Sequence, residues 1–399
     1  MTTSEPSTRS SAADTRPEWG LLAVVFLVAL NLRPAIAAVP PVLDAIQSDL
    51  GLSATGAGLL TALPVVCMGV FAPVGASTAR RLGREPAVSC ALALVAAGAL
   101  VRGLGASTVV LFGGTLVAGI GIAMGGALLP GVVKAWFPAR AGSVTGLYTA
   151  GLVAGAMIAS AATVPLLDAL DTGWPAAIAA WGLLAVAGLV AWVPATRPIH
   201  AAADPAPARA RLPWASGVAW RITLYMGMQS LLYYAAFTWL SPLYVAAGWS
   251  AGRAGLLLGL FSLTQVFSAL AMPALVDRTG DHRPWIALCV GTTTVMLAAF
   301  GLAPAAAPWL WAAVLGLGVG GMFALALTLL VKLVSSPAAA ASLSAMALLV
   351  GYLLAATGPV LAGALYDISG SYRAPFLALA AIGAATLAVG VSVRPSARV

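Results

Sequence analysis

Residues 51–63 read Gly51-Leu-Ser-Ala-Thr-Gly-Ala-Gly-Leu-Leu-Thr-Ala-Leu63, and residues 248–260 read Gly248-Trp-Ser-Ala-Gly-Arg-Ala-Gly-Leu-Leu-Leu-Gly-Leu260. The two stretches are identical at 8 of 13 positions and lie 197 residues apart. The same offset carries Arg81-Leu82-Gly83 onto Arg278-Thr279-Gly280. This repeat predicts that the chain consists of two similar halves.

The composition places both halves in a membrane. The 399 residues are 61% hydrophobic and only 8% charged, with a mean hydropathy of +0.99, whereas soluble globular proteins carry about 25% charged residues. Apolar runs of about 20 residues recur along the chain, and each is long enough to cross the roughly 30 Å hydrocarbon layer as a helix. Because the alternating pattern of barrel strands is absent, we predict an all-helical integral membrane protein.

Twelve spans are predicted, six on each side of a polar linker. The predicted spans are 19–43, 54–78, 86–104, 108–133, 142–167 and 174–194, then 218–246, 253–276, 285–303, 308–333, 338–365 and 373–393. The predicted domains are a disordered cytoplasmic tail (1–18), a six-helix bundle (19–194), a cytoplasmic linker (195–217), a second six-helix bundle (218–393) and a cytoplasmic tail (394–399).

The first span could be mistaken for a signal peptide, because Ala35-Ile36-Ala37 resembles a cleavage site. The apolar run continues past this tripeptide, and its removal would leave an odd number of spans. We therefore keep it as a span.

Basic residues predict the orientation. With both termini in the cytoplasm, 16 of the 20 Lys and Arg residues lie in cytoplasmic segments, while the outer loops hold only Arg102, Arg253 and Arg373. This bias is the positive-inside pattern, so the net charge of +8 indicates topology rather than binding to nucleic acid. Both halves begin on the same side, which makes them parallel repeats.

The cysteines do not indicate a redox or metal site. Cys67, Cys90 and Cys289 all lie inside predicted spans. Neither a disulfide framework nor a zinc-binding spacing is present, and we interpret the three as small packing residues.

With these features the chain resembles the major facilitator superfamily over almost its whole length. Asp277-Arg278-Thr279-Gly280 is similar to the superfamily's cytoplasmic Asp-Arg-x-Gly turn. The first half has Arg80-Arg81-Leu82-Gly83-Arg84 there, and Arg80 at the acidic position puts the usual charge relay in doubt. These turns could determine topology only, or could form a cytoplasmic gate or latch between helix ends. The candidate latch residues are Arg80, Arg81, Arg84, Asp277 and Arg278.

More narrowly, four motifs resemble the cyanate and 2-nitroimidazole transporter branch. They are Asn31-Leu32-Arg33-Pro34, Thr61-Ala62-Leu63-Pro64-Val65, Gln229-Ser230-Leu231-Leu232-Tyr233-Tyr234, and Gly351-Tyr352 with Gly358-Pro359. The resemblance implies transport of a small anionic or polar solute. In the fifth span Gly146, Gly151 and Gly155 lack the proline of drug/proton antiporters, and we interpret these glycines as close helix packing.

Arg33 is the residue that most strongly indicates a site. It lies in the middle of the first span, where a guanidinium is costly and normally faces a cavity, a partner or a substrate, and Pro34 after it favours a helix break. All 12 acidic residues lie in loops, tails or span ends, so a bound anion would suit its two-pronged donor face. Structural contacts to carbonyls and water, or a gating role, are the alternatives.

In the superfamily the first and seventh spans line a central cavity. Tyr225, Gln229 and Tyr233 recur at i, i+4 and i+8 of the seventh span and are expected to share one face, whereas Tyr234 points about 100° away. The alternative for these residues is interhelical hydrogen bonding. The candidate substrate-binding residues are Arg33, Asn31, Gln229, Tyr233, Tyr225, Tyr148, Met124 and Tyr352.

The resemblance implies a secondary transporter that works by alternating access. No phosphate-binding loop is present, so we expect neither direct use of ATP nor any cofactor or metal. Both histidines, His200 and His282, lie in predicted cytoplasmic loops, which leaves a conventional proton relay without a carrier; protons stay candidate partners as companions of an anion. We expect a monomer in the cytoplasmic membrane, with a small solute and the lipid bilayer as partners.

Three other functions are alternatives. An exporter of flat aromatic or nitroimidazole-type compounds would depend on the tyrosines more than on Arg33. A membrane receptor or scaffold would need a larger cytoplasmic region than the linker and tails provide. An intramembrane enzyme is least favoured, because no nucleophile–base pair or metal cluster lies at mid-depth.

Overall fold

The computed structural model describes residues 18–105, 107–197, 212–334 and 336–396. The predicted N-terminal tail, except for residue 18, lies outside the described residues, as do residues 198–211 of the predicted linker. Every regular element in the described part of the chain is a helix, which confirms the all-helical prediction.

The N-terminal half comprises nine α-helices. They are α1 (Glu18–Asn31), α2 (Pro34–Ala37), α3 (Leu43–Leu50), α4 (Ala54–Val70), α5 (Ala72–Leu82), α6 (Arg84–Val101), α7 (Thr108–Trp136), α8 (Ala141–Leu170) and α9 (Trp174–Thr196). The C-terminal half comprises α10 (Gly217–Ala246), α11 (Ala251–Thr279), α12 (Arg283–Leu302), α13 (Pro308–Lys332), α14 (Pro337–Ser369) and α15 (Arg373–Ser392). Short 3₁₀ helices cover Pro40–Val42, Arg102–Leu104 and Pro138–Arg140.

These helices account for the twelve predicted spans. Ten segments in the described residues are long and apolar enough to cross a membrane, and the pair α4 and α5, bent by 50°, makes eleven. The twelfth is α10, which has 30 residues but is richer in polar and aromatic side chains. The first span differs from its prediction: α1, α2, the 3₁₀ turn and α3 together reach Leu50 instead of ending at residue 43.

The repeated stretch of sequence is a helix start in both halves. Gly51 and Gly248 have φ of +62° and +86°, a conformation that glycine adopts without strain. Two residues later, Ser53 accepts a hydrogen bond from Gly56 N at 3.1 Å. Ser250 does the same from Arg253 N at 3.3 Å. Each serine is thus the N-cap of the helix that follows.

A second glycine of the repeat brings the two halves together. Gly58 on α4 and Gly255 on α11 are 197 residues apart. A Cβ on Gly58 would lie 2.4 Å from the carbonyl oxygen of Pro359 on α14. A Cβ on Gly255 would lie 2.5 Å from the carbonyl oxygen of Ser160 on α8. The α4–α14 and α8–α11 contacts therefore join the halves through equivalent positions.

The two halves approach each other closely at glycines near one end of the bundle. We call the end that carries residues 18 and 396 the terminal end and the opposite one the distal end. The close approaches between the halves at glycine all lie in the distal part of the described residues and involve Gly58, Gly69, Gly252, Gly255, Gly259 and Gly363. Towards the terminal end, a Cβ on Gly126, Gly131, Gly142 or Gly146 would meet nothing within 4 Å.

Candidate functional site

The site begins at the break in the first span. α1 ends at Asn31 and α2 begins at Pro34, which has no N–H to continue the helix. The carbonyl oxygen that Pro34 leaves without its usual partner belongs to Leu30. It lies against Gly155 of α8, where a Cβ would come within 2.1 Å of it. α8 therefore packs directly against the break.

This contact tests the predicted role of the fifth-span glycines. A Cβ on Gly151 would lie 2.9 Å from the carbonyl oxygen of Phe26, so Gly151 and Gly155 do allow close helix packing. The prediction was wrong for Gly146, because a Cβ there would meet nothing within 4 Å.

Four side chains from both halves surround Arg33. Its Nη1 donates to Tyr234 Oη at 3.5 Å, and Tyr234 Oη donates to Met68 Sδ at 3.6 Å. The phenol groups of Tyr233 and Tyr352 are also within electrostatic range of the guanidinium. We call these five residues the Arg33–tyrosine site.

Four members of the site keep accessible surface. Arg33, Met68, Tyr233 and Tyr352 are half-buried, whereas Tyr234 is buried. Met68 precedes Gly69, which lies nearest the terminal end of the α4 glycines that pack closely against α14. The site therefore adjoins a close contact between the two halves.

The charge of Arg33 is not neutralised by an acidic side chain. Within the described ranges, its electrostatic neighbours are the three tyrosines, and neither a hydrogen bond nor an ion pair joins it to Asp or Glu. Guanidinium donors are strong ligands for carboxylate-like anions. The site can therefore hold a small anion between a cation and phenol hydroxyls.

A cluster of aromatic rings adjoins this cation; Phe237 and Phe261 are buried, and Tyr233 is half-buried. The rings of Tyr233 and Phe261 are 6.1 Å apart and nearly parallel at 20°, and the rings of Tyr233 and Phe237 are 5.6 Å apart. Tyr233 and Tyr234 meet edge to face at 4.8 Å. Sequence reasoning missed Phe237 and Phe261, although Phe237 follows Tyr233 by one helical turn.

The two adjacent tyrosines have different roles from those expected. Tyr234, which was expected to point away, makes the hydrogen bond with Arg33, while Tyr233 stacks on Phe261. The reason is that Arg33 approaches α10 from the side of α4, so that the phenol of Tyr234 lies between Arg33 and Met68.

Two other predicted α10 residues are remote from the accessible surface. Gln229 is fully buried, and its Nε2 donates to Met226 O at 3.1 Å and to Ser230 Oγ at 2.6 Å. Tyr225 is fully buried, and its hydroxyl donates to Met322 O of α13 at 3.3 Å. The structure does not bring them together with Arg33, because this part of α10 faces the other helices of its own half.

In the described ranges, no hydrogen bond joins the other three predicted N-terminal residues to Arg33. Asn31 is buried; its Nδ2 donates to Leu27 O at 2.8 Å and is 2.7 Å from the Cβ position of Gly188 on α9. Met124 is buried, and its backbone lies against Gly75. Tyr148 is half-buried on α8. Asn31 is the last residue of α1, and it faces α9.

Arg102 is a second buried cation that the sequence did not reveal. It was expected in an outer loop, but its relative exposure is 0% and its Nη1 donates to Ala35 O at 2.8 Å. Two arginines, Arg33 and Arg102, therefore lie among the packed helices. Arg102 ends a span, and from that position sequence does not tell whether a long side chain turns outward or inward.

The candidate latch residues lie at the terminal end. Asp277 forms an ion pair with Lys332 inside the C-terminal half, while the equivalent positions of the N-terminal half are Arg80 and Lys134. Arg80, Arg81 and Arg278 are exposed, and Arg84 is half-buried. In the loop after Asp277, hydrogen bonds from Arg283 hold the pKa of Asp281 below its ordinary value.

Comparison with known proteins identifies the family. Residues 21–356 match the model of the Major Facilitator Superfamily. The chain is 37% identical to the 2-nitroimidazole transporter of Escherichia coli (strain K12) over 90% of this chain and 91% of that protein. It is 35% identical to the cyanate transport protein CynX of the same strain over 88% and 91% of the two chains.

A solved structure has the same fold. The crystal structure of a D-xylose-proton symporter superimposes with a TM-score of 0.73, at 16% identity, over 95% of this chain and 98% of that chain. The chain therefore belongs to the major facilitator superfamily, a family of multi-pass membrane transport proteins.

Proposed function

We propose that the protein carries a small anionic or polar solute across the membrane by alternating access, with Arg33 as the anchor of the solute. The observation that carries the proposal is the half-buried Arg33 guanidinium, which meets phenols from the other half and has no acidic partner in the described ranges. The names of two relatives, a cyanate and a 2-nitroimidazole transporter, support small, flat solutes that can carry negative charge.

The chemistry of the site suits such a solute. A guanidinium presents two parallel N–H donors to a carboxylate-like edge, and the hydroxyls of Tyr233 and Tyr352 can act as further donors. A bound anion would also neutralise a charge that is otherwise held at mid-depth in the membrane. Binding and charge compensation would therefore occur in one step.

The position of the site between the halves suits alternating access. Tyr234 and Met68, which contact each other beside Arg33, belong to opposite halves, so rocking of the halves would change access to the site from one end to the other. We propose that the terminal end is cytoplasmic, as the basic residues predict, and that the structure is open towards it, a proposal supported by the distal position of the close glycine contacts between the halves. On this account the protein works as a monomer in the cytoplasmic membrane, and protons move only with the solute.

A second candidate is export of flat aromatic compounds. The half-buried Tyr233 ring, which stacks on the buried ring of Phe261, favours it, since a planar solute could bind against the accessible part of Tyr233 without a charge. In that case the Tyr233 side of the site, rather than Arg33, would determine affinity.

Counterflow in proteoliposomes tests the proposal. Vesicles preloaded with sodium cyanate should take up labelled cyanate through the wild-type protein, and Arg33→Gln should raise the half-saturation about 10- to 100-fold, the loss expected for a charge-assisted hydrogen bond. Arg253→Gln makes the same change at an exposed distal arginine and should leave uptake unchanged.

The same vesicles separate the two candidates. If Arg33→Gln keeps the wild-type half-saturation for cyanate, the Arg33 anchor is wrong. If Tyr233→Leu abolishes uptake of 2-nitroimidazole while Arg33→Gln does not affect it, the aromatic exporter is the better account.

A further inference from the structure

The segment after Arg33 has more free carbonyl groups than a regular helix. In a continuous helix Val39 N would donate to Ala35 O, but it donates instead to Ile36 O at 3.3 Å. Pro40 and Pro41 have no N–H to donate. The carbonyl oxygens of Ala35 and Ala37 are therefore left without backbone donors.

Side chains from two neighbouring helices supply the missing hydrogen-bond donors. Arg102, at the end of the third span, donates from Nη1 to Ala35 O at 2.8 Å. Ser160 of α8 donates from Oγ to Ala37 O at 3.4 Å. With these two bonds each of the four α2 carbonyls has a donor, which matters because an unsatisfied buried carbonyl costs about 1–3 kcal/mol.

The side chain of Arg102 is held in place by its surroundings. It is fully buried, and its Cγ lies 2.8 Å from the Cβ position of Gly114 on α7, so glycine at 114 makes room for it. Its Nε and Nη2 have no hydrogen-bond partner, and Ala35 O is its hydrogen-bond acceptor in the described ranges. The chain thus buries a cation whose main directed contact is the broken segment that begins at Arg33.

We infer that Arg102 is a positioning residue for the solute site: its bond to Ala35 O fixes the α1–α2 break and so directs the Arg33 guanidinium towards Tyr234. Arg102 itself does not touch the solute. The inference rests on the proposed function for the role of Arg33. That Arg102 stabilises the broken segment through its bond to Ala35 O follows from the geometry alone.

Hydrogen exchange measured by mass spectrometry on the purified full-length protein tests the hold directly. Arg102→Met keeps an apolar stem and removes every donor, so exchange of the amides of residues 36–39 should rise at least tenfold, while exchange within α4 stays as in the wild type. Arg102→Lys should restore part of the protection with its single ammonium donor. Unchanged exchange at 36–39 in Arg102→Met overturns the inference.

Two further variants guard against misfolding and unrelated effects. Should Arg102→Met not fold, two milder single variants replace it. Ser160→Ala removes only the donor to Ala37 O, and Arg102→Lys leaves one ammonium donor in place of the guanidinium. Each should raise exchange of the same amides above the wild-type rate. Arg253→Met makes the Arg-to-Met change at an exposed position and should leave them unchanged. Equal exchange in Arg102→Lys, Ser160→Ala and the wild type overturns the inference.

The positioning role has a separate readout in cyanate counterflow. Arg102→Met should raise the half-saturation about tenfold at an unchanged maximal rate per active protein, and Arg102→Lys should recover part of it. A fall in maximal rate at the wild-type half-saturation would show a merely structural residue and overturn the positioning role. If the wild-type protein exchanges no cyanate, the proposed function fails, and the exchange of residues 36–39 alone decides this inference.

Discussion

The carboxylate of Asp367 joins the two halves at the distal end. Its Oδ1 accepts a hydrogen bond from Ala54 N at 2.8 Å, and its Oδ2 accepts from Thr55 N at 2.8 Å and from Thr55 Oγ1 at 2.6 Å. Asp367 belongs to α14, and the three donors belong to the first turn of α4. An acid of the C-terminal half thus caps a helix of the N-terminal half, and opening of the distal end must break these bonds.

The size of the effect follows from this geometry. Removal of an N-cap acceptor costs about 1 kcal/mol, and a negative charge at a helix N-terminus adds about 0.3–1 kcal/mol. Because the bonds to Thr55 are exposed to solvent, we take the sum as about 1–2 kcal/mol. Asp367→Ala should therefore shift the equilibrium about 5- to 30-fold towards the state with an open distal end.

Distances between spin labels measure this shift. Thr172 and Ala306 lie in exposed distal turns of opposite halves, and both can be changed to cysteine in a variant without Cys67, Cys90 and Cys289. Asp367→Ala should increase the population at long distance.

Asp168 provides the control, because it is an exposed acid near the distal end of α8. Asp168→Ala should keep the wild-type distance distribution. If the distance distribution of Asp367→Ala equals those of the wild type and of Asp168→Ala, the reasoning is refuted, since the three hydrogen bonds would then contribute nothing to closure of the distal end.

Further predictions concern the packing of α8 and the phenols of α10. Gly155→Ala would place a Cβ 2.1 Å from a carbonyl oxygen of α1, so it should destabilise the protein by about 1–3 kcal/mol and lower the Tm followed by tryptophan fluorescence. Gly146→Ala, in open space on the same helix, is the control and should keep or raise the Tm. Equal Tm values for the two variants would contradict the close packing of Gly155 against α1. Tyr234→Phe should weaken cyanate binding about fivefold, the loss of about 1 kcal/mol for one hydrogen bond. Tyr225→Phe removes a hydroxyl whose hydrogen bond in the described residues lies within the C-terminal half, so calorimetry should find the affinity of this variant for cyanate unchanged.

The fold could be predicted because its signals are local and repeated. Span length follows from the thickness of the hydrocarbon layer. The repeated stretch codes for a turn with a positive φ at Gly51 and Gly248 and for a cap at Ser53 and Ser250. These features depend on neighbours a few residues away, and for this reason sequence alone reveals them.

The candidate site was predicted less completely because it depends on neighbours distant in the chain. Helical periodicity puts Tyr225, Gln229 and Tyr233 on one face, but it does not say which helix that face meets. The end-of-span position of Arg102 likewise hides the direction of its side chain. Pro40 and Pro41 did carry a readable signal, since two prolines in a row cannot continue a helix, and they mark the end of the broken segment.

The central claim is that Arg33 holds the negative charge of the solute. Titration calorimetry of sodium cyanate into the purified protein tests it most directly. The wild-type protein and Arg253→Gln should bind cyanate with the same Kd. Arg33→Lys should bind it about tenfold more weakly, because a point charge replaces the guanidinium fork. Arg33→Gln should not reach saturation in the same range of cyanate concentration. Binding of cyanate to Arg33→Gln with the wild-type Kd would contradict the account.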